Sequence, residues 1–333
     1  MRRLRLRQRW RVGWLIFAIL FFGVALTLSL GRSLTPPLDV LRVLYGLDVS
    51  GANFAVRELR LPRATLSILA GLSFGLAGAT FQTMLRNPLA SPDIIGISAG
   101  ASAAAVFAIV VLGWSGGAVS IFAVVAGLAV ALIIYLLSWR NGVAGTRLIL
   151  VGIGISAILD SVIAYVLSKA PAWTLQDAMR WLTGSVNGAT LDQAFPLLLA
   201  LLFFGGVLLS RHRDLETLRL GDDAAAALGV ALGPTRAIVT VAAVGLISVA
   251  TAVTGPIAFV AFLSGPIAAR ITGSGRSPLI LAALVGAILV LFGDYVGQFL
   301  IPGRYPVGIV TGALGAPYLL YLIVRLNRSG ESL

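Results

Sequence analysis

Nearly uncharged apolar runs recur along this chain from residue 12 to residue 324, and they constrain its fold more than any other feature. A helix needs roughly 20 apolar residues to cross the hydrocarbon core of a bilayer. Runs of this kind are read at 12–30, 63–85, 94–112, 117–138, 147–168, 191–210, 235–254, 256–270, 279–299 and 306–324. In lipid, backbone N–H and C=O groups must find partners within the protein, so a series of such runs becomes a helical bundle. Composition agrees: 58% of residues are hydrophobic and 11% charged, where a soluble domain carries about 25% charged residues. The expected fold class is an all-α membrane protein, a polytopic bundle of about ten transmembrane helices, with residues 1–333 forming a single transmembrane domain.

A net charge of +12 raises nucleic acid as a partner. The arginines argue against it, because they sit at the ends of the apolar runs, where they report topology. Arg2, Arg3, Arg5, Arg7, Arg9 and Arg11 precede the first run. That run is too long for the apolar core of a signal peptide, so a retained first span with a cytoplasmic start is expected. Ten spans put both termini on one side, and most of the 25 Lys and Arg residues then fall inside. Trp10, Trp14, Trp114, Trp139, Trp173 and Trp181 lie at or near span ends, where indole suits the interface. Three connecting segments exceed plain turns: 31–62 outside, 169–190 outside with an amphipathic surface helix, and 211–234 inside.

The available chemistry is narrow. The chain has no Cys, its one His is His212 and its one Lys is Lys169, in Ser-Lys-Ala-Pro. No thiolate or histidine metal site and no catalytic residue is expected. A phosphate-binding loop of the Walker type is absent, so this chain does not hydrolyse ATP by that route alone. Asp160 and Asp294 fall in or near spans, and intramembrane acids are functional candidates by default. In an ion-coupled secondary transporter one of them would titrate; the plainer reading is an acid hydrogen-bonded between helices. An intramembrane enzyme would need a nucleophile–base pair within the spans, and none is seen.

Small residues mark helix contacts. Gly71, Gly75 and Gly78 share one helix face, as do Gly152 and Ser156, a spacing that lets backbones approach closely. Gly255-Pro256 and Gly265-Pro266 bracket a span of about 23 Å against a core of about 30 Å. Broken helices at membrane depth survive where they are buried in protein or line a cavity, so this region is expected to border a pathway. Asp93, beside Pro92, reads as a helix N-cap. Arg86-Asn87-Pro88-Leu89-Ala90 and Arg276-Ser277-Pro278-Leu279 hint at an internal repeat too short to bear weight.

A series of motifs then stands in order along these spans. Arg60-Leu61-Pro62-Arg63 opens the second. Gly78 and Gln82 lead to Arg86-Asn87-Pro88-Leu89-Ala90-Ser91-Pro92, then Gly96 and Gly100-Ala101. A Leu-Gly pattern runs from Gly221 to Leu228-Gly229-Val230, and Pro306-Val307-Gly308 leads through Thr311-Gly312 to Gly315-Ala316-Pro317. Over roughly residues 12–326 the sequence resembles the membrane permeases of bacterial ABC importers for iron-siderophores, haem and cobalamin. The resemblance implies type II ABC importer permease architecture and a second permease subunit, either a copy or a related chain. It also implies a cytoplasmic ABC ATPase dimer that uses ATP and Mg, and an extracytoplasmic substrate-binding protein. It places the chain in the bacterial cytoplasmic membrane, with no cofactor of its own.

Two regions gain a meaning from the resemblance. Residues 211–234 become the ATPase-coupling loop, with Arg219, Gly221, Asp222, Asp223, Ala225, Leu228 and Gly229 in a short helix that docks on the ATPase; a bulky residue at Ala225 would then uncouple hydrolysis from transport. Asp222 and Asp223 suit a helix start and Gly229 suits its end. Arg60 and Arg63 match the family's outer basic positions, which pair with acids of the binding protein. Many members carry Pro-His followed by Arg where this chain has Pro266-Ile267 with Arg270 kept. A family Asp, Arg, Glu-Leu-Pro pattern appears here as Asp294, Gln298 and Arg304-Tyr305-Pro306. Arg304 is thus expected either to replace the arginine lost at Gln298 as a docking contact or to alter the choice of partner. The variant pattern fits ferric siderophore uptake better than cobalamin.

Overall fold

The computed structural model describes residues 2–91, 96–138, 145–273 and 279–329. Pro92, Asp93, Trp139, Arg140 and the Arg276-Ser277-Pro278 part of the suggested repeat lie outside the described residues, so the readings made on them stay as expectations. The described elements are helices: α1 (Arg2–Ser29), α2 (Pro37–Leu44), α3 (Phe54–Leu85), α4 (Ile97–Val110), α5 (Gly117–Ser138), α6 (Gly145–Ser168) and α7 (Ala172–Leu182). Then follow α8 (Leu191–Ser210), α9 (His212–Leu218), α10 (Asp222–Ala227), α11 (Leu232–Thr254), α12 (Val260–Thr272), α13 (Leu279–Leu300) and α14 (Val307–Ser329). Seven helices are long and apolar enough to cross a membrane, and α4, α12 and the Val307–Leu322 part of α14 are shorter apolar helices. These coincide with the ten runs read from sequence.

The bundle is built around α3, whose apolar stretch is 83% buried. It packs on α13, α12, α11 and α8, while α4 packs on α5, α6 and α7. The α3–α13 seam is antiparallel and in register. Arg63 meets Asp294, Gly71 meets Gly286, and Gly75 meets Ala282, so each advance along α3 matches an equal retreat along α13. The glycines make this possible: a Cβ at Gly71 would land on the backbone of Gly286 and Ala287. Gly78, by contrast, faces the backbone of Ala261 on α12. The glycine face expected from sequence therefore serves two neighbours.

Two boundaries differ from expectation, and an expected surface helix is present. α3 begins at Phe54 rather than Arg63, its first turns (Phe54–Arg60) wound as a π-helix. Gly265-Pro266 does not end the short span but sits inside α12, which runs on to Thr272. The amphipathic helix expected within 169–190 is α7, packed against α4.

Candidate functional site

Charged groups gather at the two ends of α3. From Arg63 to Arg86 is about 35 Å at 1.5 Å per residue, enough to place the two clusters on opposite sides of a hydrocarbon core.

At the first end Arg63 makes a two-pronged pair with Asp294: Nε donates to Oδ2 at 2.5 Å and Nη2 to Oδ1 at 2.7 Å. Nη1 donates to Asn187 Oδ1 at 2.9 Å. Both partners are largely buried, the side chains 15% and 8% exposed. Arg60 is also occupied. Its Nη1 donates to the carbonyls of Leu28 and Ser29 and to Thr35 Oγ1, and its Nη2 to the carbonyl of Ser33. It thus satisfies carbonyls that the last turn of α1 leaves without helical partners. Arg304 is exposed, in left-handed backbone conformation at φ 54°. Gln298 and Arg304, paired on sequence grounds, line one cavity of about 620 Å³ together with Arg60, Arg63 and Asp294. The structure thus brings Arg60, Arg63 and Arg304 together, with the first two committed to internal bonds.

The segment after α7 stitches this end closed. Ser185 N–H donates to the Thr254 carbonyl at 2.7 Å, and Gly308 N–H donates to the Gly184 carbonyl at 3.2 Å. A Cβ at Gly308 would collide with the Thr183 carbonyl, and one at Gly315 with the ring of Phe259. The Pro306–Pro317 motif is therefore a packing motif here. Pro306 lies beside Tyr305 in the rim of a second cavity of about 370 Å³, and Pro317 lies inside α14.

At the other end the motif residues close on one another. Gln82 is buried and its Nε2 donates to the Phe262 carbonyl at 2.9 Å. That carbonyl is the one Pro266 cannot serve, since proline lacks the N–H its helix position requires. Gly265 leaves room for the amide, as a Cβ there would clash with it. Gln82→Leu is expected to strand the Phe262 carbonyl and lower stability by about 1–3 kcal/mol, read as a fall in the thermal midpoint of the purified protein. Arg86, in left-handed conformation at φ 53°, caps α3 and reaches Asp222 at 3.2 Å. Asn87 Oδ1 accepts from Leu89 N–H at 2.8 Å, fixing the turn through Pro88. Gly96 and Gly100 let α4 close on α5, since Cβ atoms there would press on Ile134 and Val130, and Gly96 also lies close to Ser156 of α6.

Asp222 also holds Arg236 at 2.8 Å, so α10 is tied to both α3 and α11. Gly221 precedes α10 at φ 108° and Gly229 follows it at φ 87°. Gly229 N–H donates to the Ala226 carbonyl and Val230 N–H to that of Ala225, the Schellman ending that glycine favours. Ala225 itself is fully buried, packed in the main core. This changes the meaning of a bulky residue there: it would break the loop's own packing. The exposed surface is formed by Arg219, Leu220, Asp223, Ala226, Ala227, Leu228 and Gly229, with Leu220 67% and Leu228 66% exposed. Leu220, Ala226 and Ala227 were not singled out from sequence, because four consecutive alanines carry no hydrophobic contrast from which to read a face.

The two intramembrane acids differ. Asp294 is paired, as the plainer reading expected. Asp160 is exposed on α6 and has no partner among the described residues.

Among the described residues, seven helices long and apolar enough to span a membrane and three shorter apolar ones, with Asp160 as the charge set within an open helix face, make a polytopic membrane protein. The FecCD transport family matches residues 19–325, and the chain belongs to that family. It is 39% identical over 294 residues to the ferric enterobactin transport system permease protein FepG of Escherichia coli (strain K12), covering 87% of this chain and 88% of that protein. It is 35% identical over 323 residues to the Fe(3+)-citrate import system permease protein YfmE of Bacillus subtilis (strain 168), covering 96% of each. A solved metal-chelate type ABC transporter in an inward-facing conformation has the same fold, with a TM-score of 0.82 at 24% identity over 95% of this chain and 99% of that one. The family resemblance carried by the motifs and the all-α fold class both hold.

Proposed function

We propose that this chain is the permease subunit of an ATP-binding-cassette importer that carries a ferric siderophore across the cytoplasmic membrane. Its termini lie in the cytoplasm, a second permease subunit completes the path, and a separate ATPase dimer binds ATP and Mg. A binding protein delivers the chelate at the Arg63 end. The observation that carries this reading is the Arg86 end, where α10 and its flanks expose Leu220, Ala226, Ala227 and Leu228 between Arg219 and Asp223, while Asp222 ties the helix to two long ones. A partner that pushes on α10 thereby moves α3 and α11. Relatives named for ferric enterobactin and for Fe(3+)-citrate support an iron(III) chelate over cobalamin or haem.

The test is uptake into proteoliposomes by the chain alone, with the ATPase encoded beside it, and with binding protein loaded with ferric siderophores. Uptake that requires ATPase, ATP and binding protein together is the expected result. Uptake by the chain alone, collapsing with the proton gradient, would overturn it in favour of a secondary transporter.

The coupling surface has its own test. Ala227→Trp places a large side chain on the exposed side of α10, and it is expected to leave the protein folded while lowering uptake at least tenfold with ATP hydrolysis retained. Ala225→Trp is expected instead to lower the thermal midpoint, because it overpacks a buried position.

A further inference from the structure

α7 has two faces. Ala178 is fully buried and Trp181 packs on the alanine-rich core between α4 and α5, so one face holds the helix to the bundle. Gln176, Met179 and Arg180 recur at helical spacing on the other and line the cavity of about 370 Å³ at the Arg63 end. The turn between α13 and α14 supplies Gln298 and Arg304 to the same cavity. That turn is fixed: Gly303 and Arg304 take left-handed conformations, and Tyr305 N–H donates to the Gly297 carbonyl at 2.9 Å. Among the described residues no carboxylate lines this cavity. Arg63 in its wall is already neutralised by Asp294. Arg304 has no ion pair among the described residues, and Arg180 has only Asp177 at 4.0 Å, both groups more than half exposed. A pair so long and so exposed contributes little. The side-chain amides of Gln176 and Gln298 likewise have no hydrogen bond among the described residues. The neighbouring cavity of about 620 Å³ differs, since Glu58 and Asp294 offset its arginines.

We propose that this cavity is a receiving subsite for polyanionic ferric chelates, of the catecholate or carboxylate class, in which Arg180 and Arg304 bind the outer oxygens of a chelate as the binding protein releases it. This rests on the permease reading above. Guanidinium groups suit such oxygens because each offers a planar fork of donors to an oxyanion. Unbalanced cations in a concave wall also raise the local concentration of anions by an order of magnitude or more. The layout favours a chelate over an acidic side chain of a docking protein. A single carboxylate needs one guanidinium, whereas two unspent guanidiniums and two free amides around an acid-free hollow suit a ligand that presents several oxyanions at once. Among chelates of similar size the discriminating feature is then net charge: a tris-catecholate is polyanionic and a trihydroxamate is neutral.

The experiment uses the purified complex of permease and ATPase, without binding protein, and measures retention of radioactive iron at equilibrium. Ferric enterobactin is the polyanionic probe and ferrichrome the neutral one. Ferric enterobactin is expected to bind about tenfold more tightly than ferrichrome. The double variant Arg180→Gln with Arg304→Gln is expected to lose that preference while ferrichrome binding stays the same. Both side chains are exposed, so the substitutions are expected to leave the fold intact. Arg32→Gln, at an exposed arginine of the neighbouring cavity, is the control and is expected to keep the preference. Equal binding of the two chelates by the unmodified complex overturns the proposal, and so does the same loss in Arg32→Gln. A double variant that binds ferric enterobactin normally but loses affinity for the loaded binding protein also overturns it, and assigns both arginines to docking. The retention measurement needs no ATP, so it decides the subsite by itself. Absence of ATP-dependent uptake of any chelate by the unmodified complex would instead defeat the permease reading.

Discussion

Asp294→Ala is expected to destabilise the protein by about 3 kcal/mol, and Arg63→Ala by a similar amount, because either change leaves its partner's charge buried and unpaired. Both side chains are largely buried and joined by two hydrogen bonds, so screening by solvent offers little relief. Thermal unfolding in detergent reads the effect. The double variant Arg63→Leu with Asp294→Leu is expected to recover most of the loss, since apolar residues remove the desolvation cost along with the attraction. The same series separates three roles for this pair. If Arg63 also docks the binding protein, the double variant regains stability but not affinity for that protein. If Asp294 titrates in an ion-coupled cycle, Asp294→Asn abolishes gradient-driven uptake and the double variant does not restore it. A structural lock alone predicts that stability and uptake return together.

What the sequence makes legible follows from what each signal measures. Hydropathy reports composition over a window of about one span, so the ten runs are found. Partners far apart in sequence leave no such trace. Arg63 and Asp294 are 231 residues apart, and Gln82 and Phe262 are 180 apart. Gly265-Pro266 therefore reads as a helix end, although Gln82 supplies a hydrogen bond to the carbonyl that the proline leaves idle and lets the helix continue. The start of α3 is hidden for a related reason. Arg57, Glu58 and Arg60 give the segment the polarity of a loop, yet Arg60 is the group that fastens it to the end of α1. The two arginines matched to docking positions are likewise readable as basic and external, but not as already engaged. Glycine spacing showed that backbones approach closely at Gly71, Gly75 and Gly78; it could not divide them between α13 and α12.

Gly78→Leu is expected to prevent the bundle from closing. An ideal Cβ at Gly78 falls within 2.8 Å of the Ala261 Cα and closer still to the Ala261 carbonyl. These are backbone atoms at the first turn of α12, which no side-chain rotation moves aside. Even Gly78→Ala must part the two helices, at a cost of about 1–3 kcal/mol, while leucine adds several heavy atoms to the same gap. The separation would also carry Gln82 away from the Phe262 carbonyl one turn further along the same seam, removing the bond that compensates Pro266. Gly206→Ala is the matched control. It lies within α8, and its Cβ would meet nothing within 4 Å. There alanine is expected to stabilise by about 0.5–1 kcal/mol through reduced backbone entropy and better helix propensity. The measurement is the fraction of protein that purifies as a single folded species, together with its thermal midpoint. Loss for Gly78→Leu with gain for Gly206→Ala would place the requirement in the close α3–α12 contact. Equal loss at both positions would mean that glycine acts through general helix flexibility, and the contact argument would fall.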